Sequence, residues 1–218
     1  MIVTGKPIKE KYGLIEFCLK FPYTDKSSKY GTPISVAIAT ITIPFILPMF
    51  LLSGYLAQVR RAAYYGEEVP KLEFYGELID EGKGAVISQL PVLFIGMLGI
   101  VGYSLIQTPF FFSFLFGAFF LSPVVAMQYA LEKDYKSVYN RDFANIVSSS
   151  EYVKYYFIYS LLVIFMVTTT IVVGSGTIGI GFVLLLPTVV VSRAAYWGYV
   201  YEKVEMDAEE PTIDEGEG

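Results

Sequence analysis

An all-α polytopic membrane bundle, made of antiparallel helical hairpins with short amphipathic interfacial helices, is what this 218-residue sequence predicts. Three observations point there. Four apolar runs, at about 85–107, 110–131, 152–174 and 177–201, each reach the roughly 20 helical residues that cross a hydrocarbon core about 30 Å thick. Charged residues make up only 17% of the chain, below the roughly 25% usual in soluble domains. Inside lipid every backbone N–H and C=O must be bonded within its own segment, which turns such runs into helices. A fifth run, at 33–59, is interrupted by Pro44 and Pro48. One membrane domain at 33–204 is therefore expected, between a basic arm at 1–32 and an acidic tail at 205–218.

Taken in order, the arm carries Ile8, Tyr12, Ile15 and Leu19 at helical spacing, with Lys9, Glu10, Glu16 and Lys20 off that stripe. This suits a helix lying on an anionic membrane surface, ended by Pro22. No compact apolar core precedes Pro33, so the first apolar run is expected to act as an uncleaved insertion signal. That run either crosses once with a proline kink or folds back near residues 44–48. We favour the fold-back, because it leaves all 16 basic residues on one side. Pro48, Pro123 and Pro187 would then mark three related hairpins.

The connector at 60–84 predicts a short amphipathic helix, with Phe74, Tyr75, Leu78 and Ile79 opposite Glu73, Glu77, Asp80 and Glu81. The connector before Tyr152 repeats the design through Phe143, Ile146 and Val147. Ser148 and Glu151 then have the spacing of a capping box for the next helix. Tyr152, Tyr155, Tyr156 and Tyr159 share one face, as an interfacial aromatic belt requires, and Lys154 can snorkel from there. The turns at 107–109 and 174–176 are short and uncharged. Lys and Arg collect in the connectors, so these and the C-terminal tail are expected on the cytoplasmic side of the cell membrane. The tail holds seven carboxylates and no basic residue, a composition that favours disorder.

Chemistry is bounded by absences. There is no histidine and a single cysteine, Cys18. These exclude a Ser–His–Asp triad, Cys–His chemistry, Cys/His zinc sites and histidine-ligated haem. No Gly-rich phosphate loop is present. An enzyme is therefore not expected, nor a metal or cofactor. The most specific internal signal is Arg61-Ala62-Ala63-Tyr64-Tyr65-Gly66, which recurs as Arg193-Ala194-Ala195-Tyr196-Trp197-Gly198. The alanines let helices approach, and the arginines can reach phosphates or carboxylates. Tyr64, Tyr65, Tyr196 and Trp197 are expected in the headgroup zone. Arg193 lies about 24 Å along the last apolar run, short of its far boundary. Glu132 and Glu202 are its expected partners. Arg60, Arg61 and Arg193 are thus candidates for a lipid headgroup, an anion or an intramembrane pair. No acidic residue sits mid-span, which argues against an ion-coupled pump. Gln58, Gln89, Gln107, Gln128, Thr168, Thr169 and Thr170 are expected to tie helices together, and Gly96, Gly99 and Gly102 to permit close packing.

The stretch Gly54-Tyr55-Leu56-Ala57-Gln58-Val59-Arg60-Arg61-Ala62-Ala63 resembles an archaeal membrane family, catalogued as domain of unknown function four thousand and thirteen. The likeness begins at Phe21-Pro22-Tyr23-Thr24-Asp25. It continues through Gly66-Glu67-Glu68-Val69-Pro70 and Phe74-Tyr75-Gly76-Glu77-Leu78-Ile79-Asp80-Glu81-Gly82-Lys83. The resemblance implies an integral membrane protein and supplies no activity. One departure is Gln58, where the family commonly carries arginine.

The expected role is a non-catalytic scaffold, partner subunit or membrane-shaping protein. Its partners would be the lipid bilayer and other membrane proteins or a second copy, with no nucleic acid. The alternative is a small transporter or channel subunit, with arginines drawing in an anionic solute or lipid headgroup. The surroundings of Arg193 separate the two: a polar cavity favours the alternative, and snorkelling into lipid favours the scaffold.

Overall fold

A computed structural model of the protein describes residues 13–23, 36, 46–72, 76–139, 141–177 and 180–209. Those residues are helical and contain no strand. The helices are α1 (Leu14–Lys20), α2 (Ile46–Tyr65), α3 (Gly76–Ile106), α4 (Phe112–Glu132), α5 (Arg141–Ser148), α6 (Ser150–Gly176) and α7 (Ile180–Glu209). Among the described residues three helices are long and apolar enough to cross a membrane: α3, α4 with the turn before it, and α6. Their outward faces have no water-compatible cover. Phe94, Met97, Phe116, Phe119, Phe165 and Val172 are each more than 60% exposed, far beyond the scattered apolar residues of a soluble surface.

The short α2 is the centre. It packs against α3 and α4 on one side and α7 on the other, and α6 packs outside α7. At one end of the helices the chain turns tightly, at Gln107-Thr108 and after Gly176; at the other lie the charged connectors. Gln107 adopts a positive φ of 55° in its turn.

Glycine sets the spacing at the centre. A Cβ on Gly82 would lie 1.7 Å from the Phe50 carbonyl oxygen, and one on Gly54 would lie 2.1 Å from that of Leu78. The α2 and α3 backbones therefore touch at this crossing, as small residues allow in membrane bundles. Gly99 gives α4 the same access to α3, since its Cβ would meet the Phe111 carbonyl oxygen at 2.8 Å.

Several expectations are corrected here. Residues 33–45, where the first apolar run was to kink or fold back, lie outside the described residues apart from Val36. Pro48 sits in the first turn of α2, where its missing N–H costs no hydrogen bond. Pro123 and Pro187 lie within α4 and α7, so the three prolines do not play matched roles. The helix does not end at Val59 but runs to Tyr65, placing Arg60 and Arg61 within α2. The separate amphipathic helix expected at 74–81 is instead the first turns of α3, with Leu78 fully buried; Phe74 and Tyr75 are outside the described residues. No residue between Gly76 and Pro91 breaks the helix. Ser149, not Ser148, caps α6, accepting from the Tyr152 N–H at 3.2 Å. Glu151 pairs instead with Lys154 at 2.7 Å.

The acidic tail is helical as far as Glu209, because two of its carboxylates have partners. Asp207 accepts from the Glu151 N–H at 3.1 Å at the start of α6, where the helix dipole favours negative charge. Glu205 accepts from the Tyr64 hydroxyl at 3.1 Å. Residues 210–218 lie outside the described residues. In the connector helix α5, Ile146 is buried and Phe143 and Val147 half-buried, as the apolar stripe predicts.

In α1 the expected stripe points the other way. Ile15 and Leu19 are exposed, while Phe17, Cys18 and Phe21 are buried against α7; Ile8 and Tyr12 are outside the described residues. Successive contacts climb α7: the Phe17 ring meets Tyr199, Ser192 donates to the Cys18 carbonyl at 2.5 Å, and Tyr23 and Thr188 share a hydrogen bond. The segment thus docks lengthwise on α7 and turns Ile15 and Leu19 outward. Burial pushes the Cys18 thiol up to about 12. Because thiolate is the nucleophile, Cys18 is expected to resist maleimide at pH 7–8 in the folded protein and to label fully after unfolding in SDS. Rapid native labelling would mean that α1 is undocked.

Candidate anion-binding site

The repeated arginine motif builds two different environments. Arg61 turns toward α3, where it meets the Glu81 carboxylate at 2.5 Å and donates to the Ala130 carbonyl at 2.7 Å. Gln58 donates to the other Glu81 oxygen at 3.1 Å, and Tyr129 donates to the Glu81 carbonyl at 2.8 Å. This network closes the connector end of α2, α3 and α4. Its partner for Arg61 is Glu81, a residue expected only as the polar face of a surface helix.

Arg193 faces elsewhere. It donates through Nε to the Tyr159 hydroxyl at 3.0 Å, with its guanidinium 5.8 Å from the centre of the same ring. Neither Glu132 nor Glu202 is its partner: both are exposed near the connector ends of α4 and α7, more than a turn beyond Arg193. The Tyr159 hydroxyl takes their place.

Arg60, one residue before the first motif copy, points into the same space as Arg193. A cavity of ≈ 540 Å³ lies between α2, α4, α6 and α7, with Arg60, Arg193, Ser122, Tyr156, Tyr159 and Ser160 supplying its polar lining. A second cavity of ≈ 330 Å³, between α2, α3 and α4, shares Leu56, Arg60, Ser122 and Ala126 with the first. Arg60 thus stands where the two meet. Its charge is close enough to Arg193 for repulsion, and close enough to Tyr159 to interact with it. Among the described residues the Arg60 side chain makes no hydrogen bond or ion pair, and no carboxylate lines either cavity.

Trp197 adds a further donor. It is 2% exposed, lines the arginine cavity, and its indole N–H has no acceptor among the described residues. A buried donor without a partner carries a desolvation cost of about 1–3 kcal/mol. The polar roof is completed by Gln89 and Ser122, which exchange hydrogen bonds of 3.1 and 3.0 Å between α3 and α4. Gln58 and Gln89 therefore join helices, as their type predicts, whereas Gln107 is exposed in its turn and the Gln128 side-chain oxygen has no partner among the described residues.

The aromatic residues depart most from expectation. Tyr196 and Trp197 are buried, not interfacial. Tyr152 is fully buried and its hydroxyl donates to the Phe120 carbonyl. Tyr152 and Tyr159 stack near Trp197 at 5.4 and 5.2 Å, so the expected belt is an internal seam joining α6 to α7. Tyr65 is 58% exposed and Tyr64 half-buried. The alanines of the motif act as predicted. Ala63 and Ala195 are fully buried, and a Cβ on Gly198 would lie 2.4 Å from the Arg60 carbonyl oxygen. That contact aligns the two motif copies side by side. Gly66 does a different job, ending α2 at φ 71°.

Among known proteins, no family model, no curated protein and no solved structure matches this chain.

Proposed function

We propose that this is a multi-pass membrane protein that binds an anionic group in an intramembrane cavity, between Arg60 and Arg193. The observation that carries the reading is two guanidiniums lining one space with no carboxylate in its lining among the described residues. Like charges brought together in a low-dielectric site repel strongly, and phosphate or carboxylate oxygens relieve both at once. The unpaired Trp197 N–H and the Tyr159 hydroxyl are further groups for such a ligand. The role read here is binding or passage and not catalysis, in keeping with a sequence that has no histidine and a single cysteine. It is closer to the transporter or channel-subunit class than to the scaffold class, because Arg193, although exposed, borders a cavity that Arg60 also lines, one mainly apolar apart from these arginines and a few hydroxyls.

The membrane arrangement is part of the same proposal. The α3–α4 and α6–α7 pairs cross as antiparallel hairpins with α2 between them, and the charged connectors face the cytoplasm. Supporting it, Arg61, Lys83, Lys133, Lys136, Lys154 and Lys203 all lie at the connector end, while the two turns carry no charge. The kinship with the archaeal family also remains a proposal, and its motif has a structural explanation. Gly54, Arg61, Glu81 and Gly82 meet at the α2–α3 crossing.

Binding to the folded state alone raises stability by about 2.7 kcal/mol at a ligand concentration 100 times Kd. In uncharged detergent, inorganic phosphate or phosphatidylglycerol is therefore expected to raise the melting temperature by several degrees. Arg60→Gln with Arg193→Gln is expected to abolish that rise. Equal melting with and without both ligands would contradict the proposal.

A further inference from the structure

We infer that the occupant of this cavity is a phospholipid with a net negative headgroup, one acyl chain of which lies in a groove between α3 and α4. The inference rests on the anion-binding reading and narrows it. An apolar groove of ≈ 200 Å³ runs between Leu93, Gly96 and Met97 of α3 and Leu115 and Ala118 of α4. It shares Phe119 and Ser122 with the arginine cavity, and Gln89, Leu93 and Ser122 with the neighbouring one. Apolar lining therefore passes into donor-rich lining at Ser122, the order in which a lipid presents chain and headgroup.

Length agrees. From Gln89 to Ile100 the groove follows eleven residues of α3, about 16 Å of helix, close to half of a hydrocarbon core about 30 Å thick. Its floor is tight, since a Cβ on Gly96 would lie 3.3 Å from that of Ala118. Its rim is open: Leu93 and Met97 are 54% and 62% exposed, so a chain can enter sideways from the bilayer. A free anion makes no use of this groove. Charge selects the headgroup. A phosphate accepts paired hydrogen bonds from guanidinium, whereas a choline would bring a third cation toward Arg60 and Arg193.

Trp197 is the single tryptophan of the chain and lines the cavity, so its emission reports occupancy. The purified full chain in uncharged detergent would be titrated with short-chain phosphatidylglycerol, phosphatidylcholine of the same chains, and inorganic phosphate. We expect a saturable change with phosphatidylglycerol at least ten-fold tighter than with either other ligand. Leu93→Phe and Met97→Phe, which fill the groove from its lipid-facing rim, should weaken phosphatidylglycerol at least five-fold and leave phosphate unchanged. Phosphatidylglycerol with a photoreactive acyl chain should crosslink within residues 93–100 or 115–122. Phosphate as tight as lipid, with no effect of the groove variants, overturns the lipid inference and leaves the anion site standing. Equal binding of phosphatidylcholine overturns the charge selection. Silence toward both phosphatidylglycerol and phosphate removes site and inference together.

Discussion

Gly82→Leu is expected to abolish the folded state, or to destabilise it by more than about 3 kcal/mol, beyond the usual cost of overpacking. The obstacle is backbone, not a side chain that can move aside. A Cβ at this position falls 1.7 Å from the Phe50 carbonyl oxygen and 2.5 Å from its carbon. Helices α2 and α3 must separate to admit it, which also pulls Arg61 from Glu81, the residue next to Gly82. Gly117→Ala is the internal control, because nothing lies within 4 Å of a Cβ there. That change should be neutral or stabilise by up to about 1 kcal/mol through helix propensity. Unfolding in SDS, followed by circular dichroism, separates the two outcomes. Equal stability of both variants would show that the α2–α3 crossing is looser than described.

Glu81→Ala comes next in size, at about 3 kcal/mol. The Arg61 and Glu81 side chains are only 21% and 12% exposed, so removing the carboxylate strands a largely buried guanidinium. Breaking such a pair from one side costs about 3–5 kcal/mol, and partial exposure favours the lower figure. Gln58 loses its acceptor in the same step. Replacing both charges, Arg61→Met with Glu81→Leu, should recover most of the loss, because apolar packing substitutes well for a buried ion pair. A double-mutant cycle measures the coupling. A coupling near zero would place the pair in solvent.

Much of the helical plan was legible in the sequence. All four long apolar runs became helices, and three of them, α3, α4 and α6, are long and apolar enough to cross a membrane, because apolar length and breaker residues are local properties. What escaped was set by partners distant in the chain. The run ending at Val59 was cut at the first arginines, yet α2 continues, since Glu81 neutralises Arg61 and a cavity receives Arg60. Tyr152, Tyr156 and Trp197 have the composition of an interfacial belt, and composition does not distinguish a belt from an internal stack. The stripe of Ile15 and Leu19 was a true amphipathic signal. It faces outward because a second stripe, Phe17 and Phe21, found α7.

The candidate site was half legible. Arg193 was identified from its depth and Arg60 as a basic residue at the end of the first apolar run, but nothing in the spacing of residues 60, 122, 159 and 193 announces that they meet. Tyr159 replaced the acidic partners because α6 and α7 pack side by side, bringing its hydroxyl level with Arg193. Ser122 carried no signal of a site at all, and Trp197 was marked by the repeated motif only as a headgroup-zone aromatic. Arg61, by contrast, belongs to the structure and not to the cavity. Its variants should change stability far more than ligand affinity.

The most direct measurement is a high-resolution map of the protein in a nanodisc containing phosphatidylglycerol. Phosphate density within hydrogen-bonding distance of both Arg60 and Arg193 is the predicted result. A carboxylate of the protein folded onto Arg193, with Arg60 turned out toward the aqueous boundary and no density between them, would contradict it.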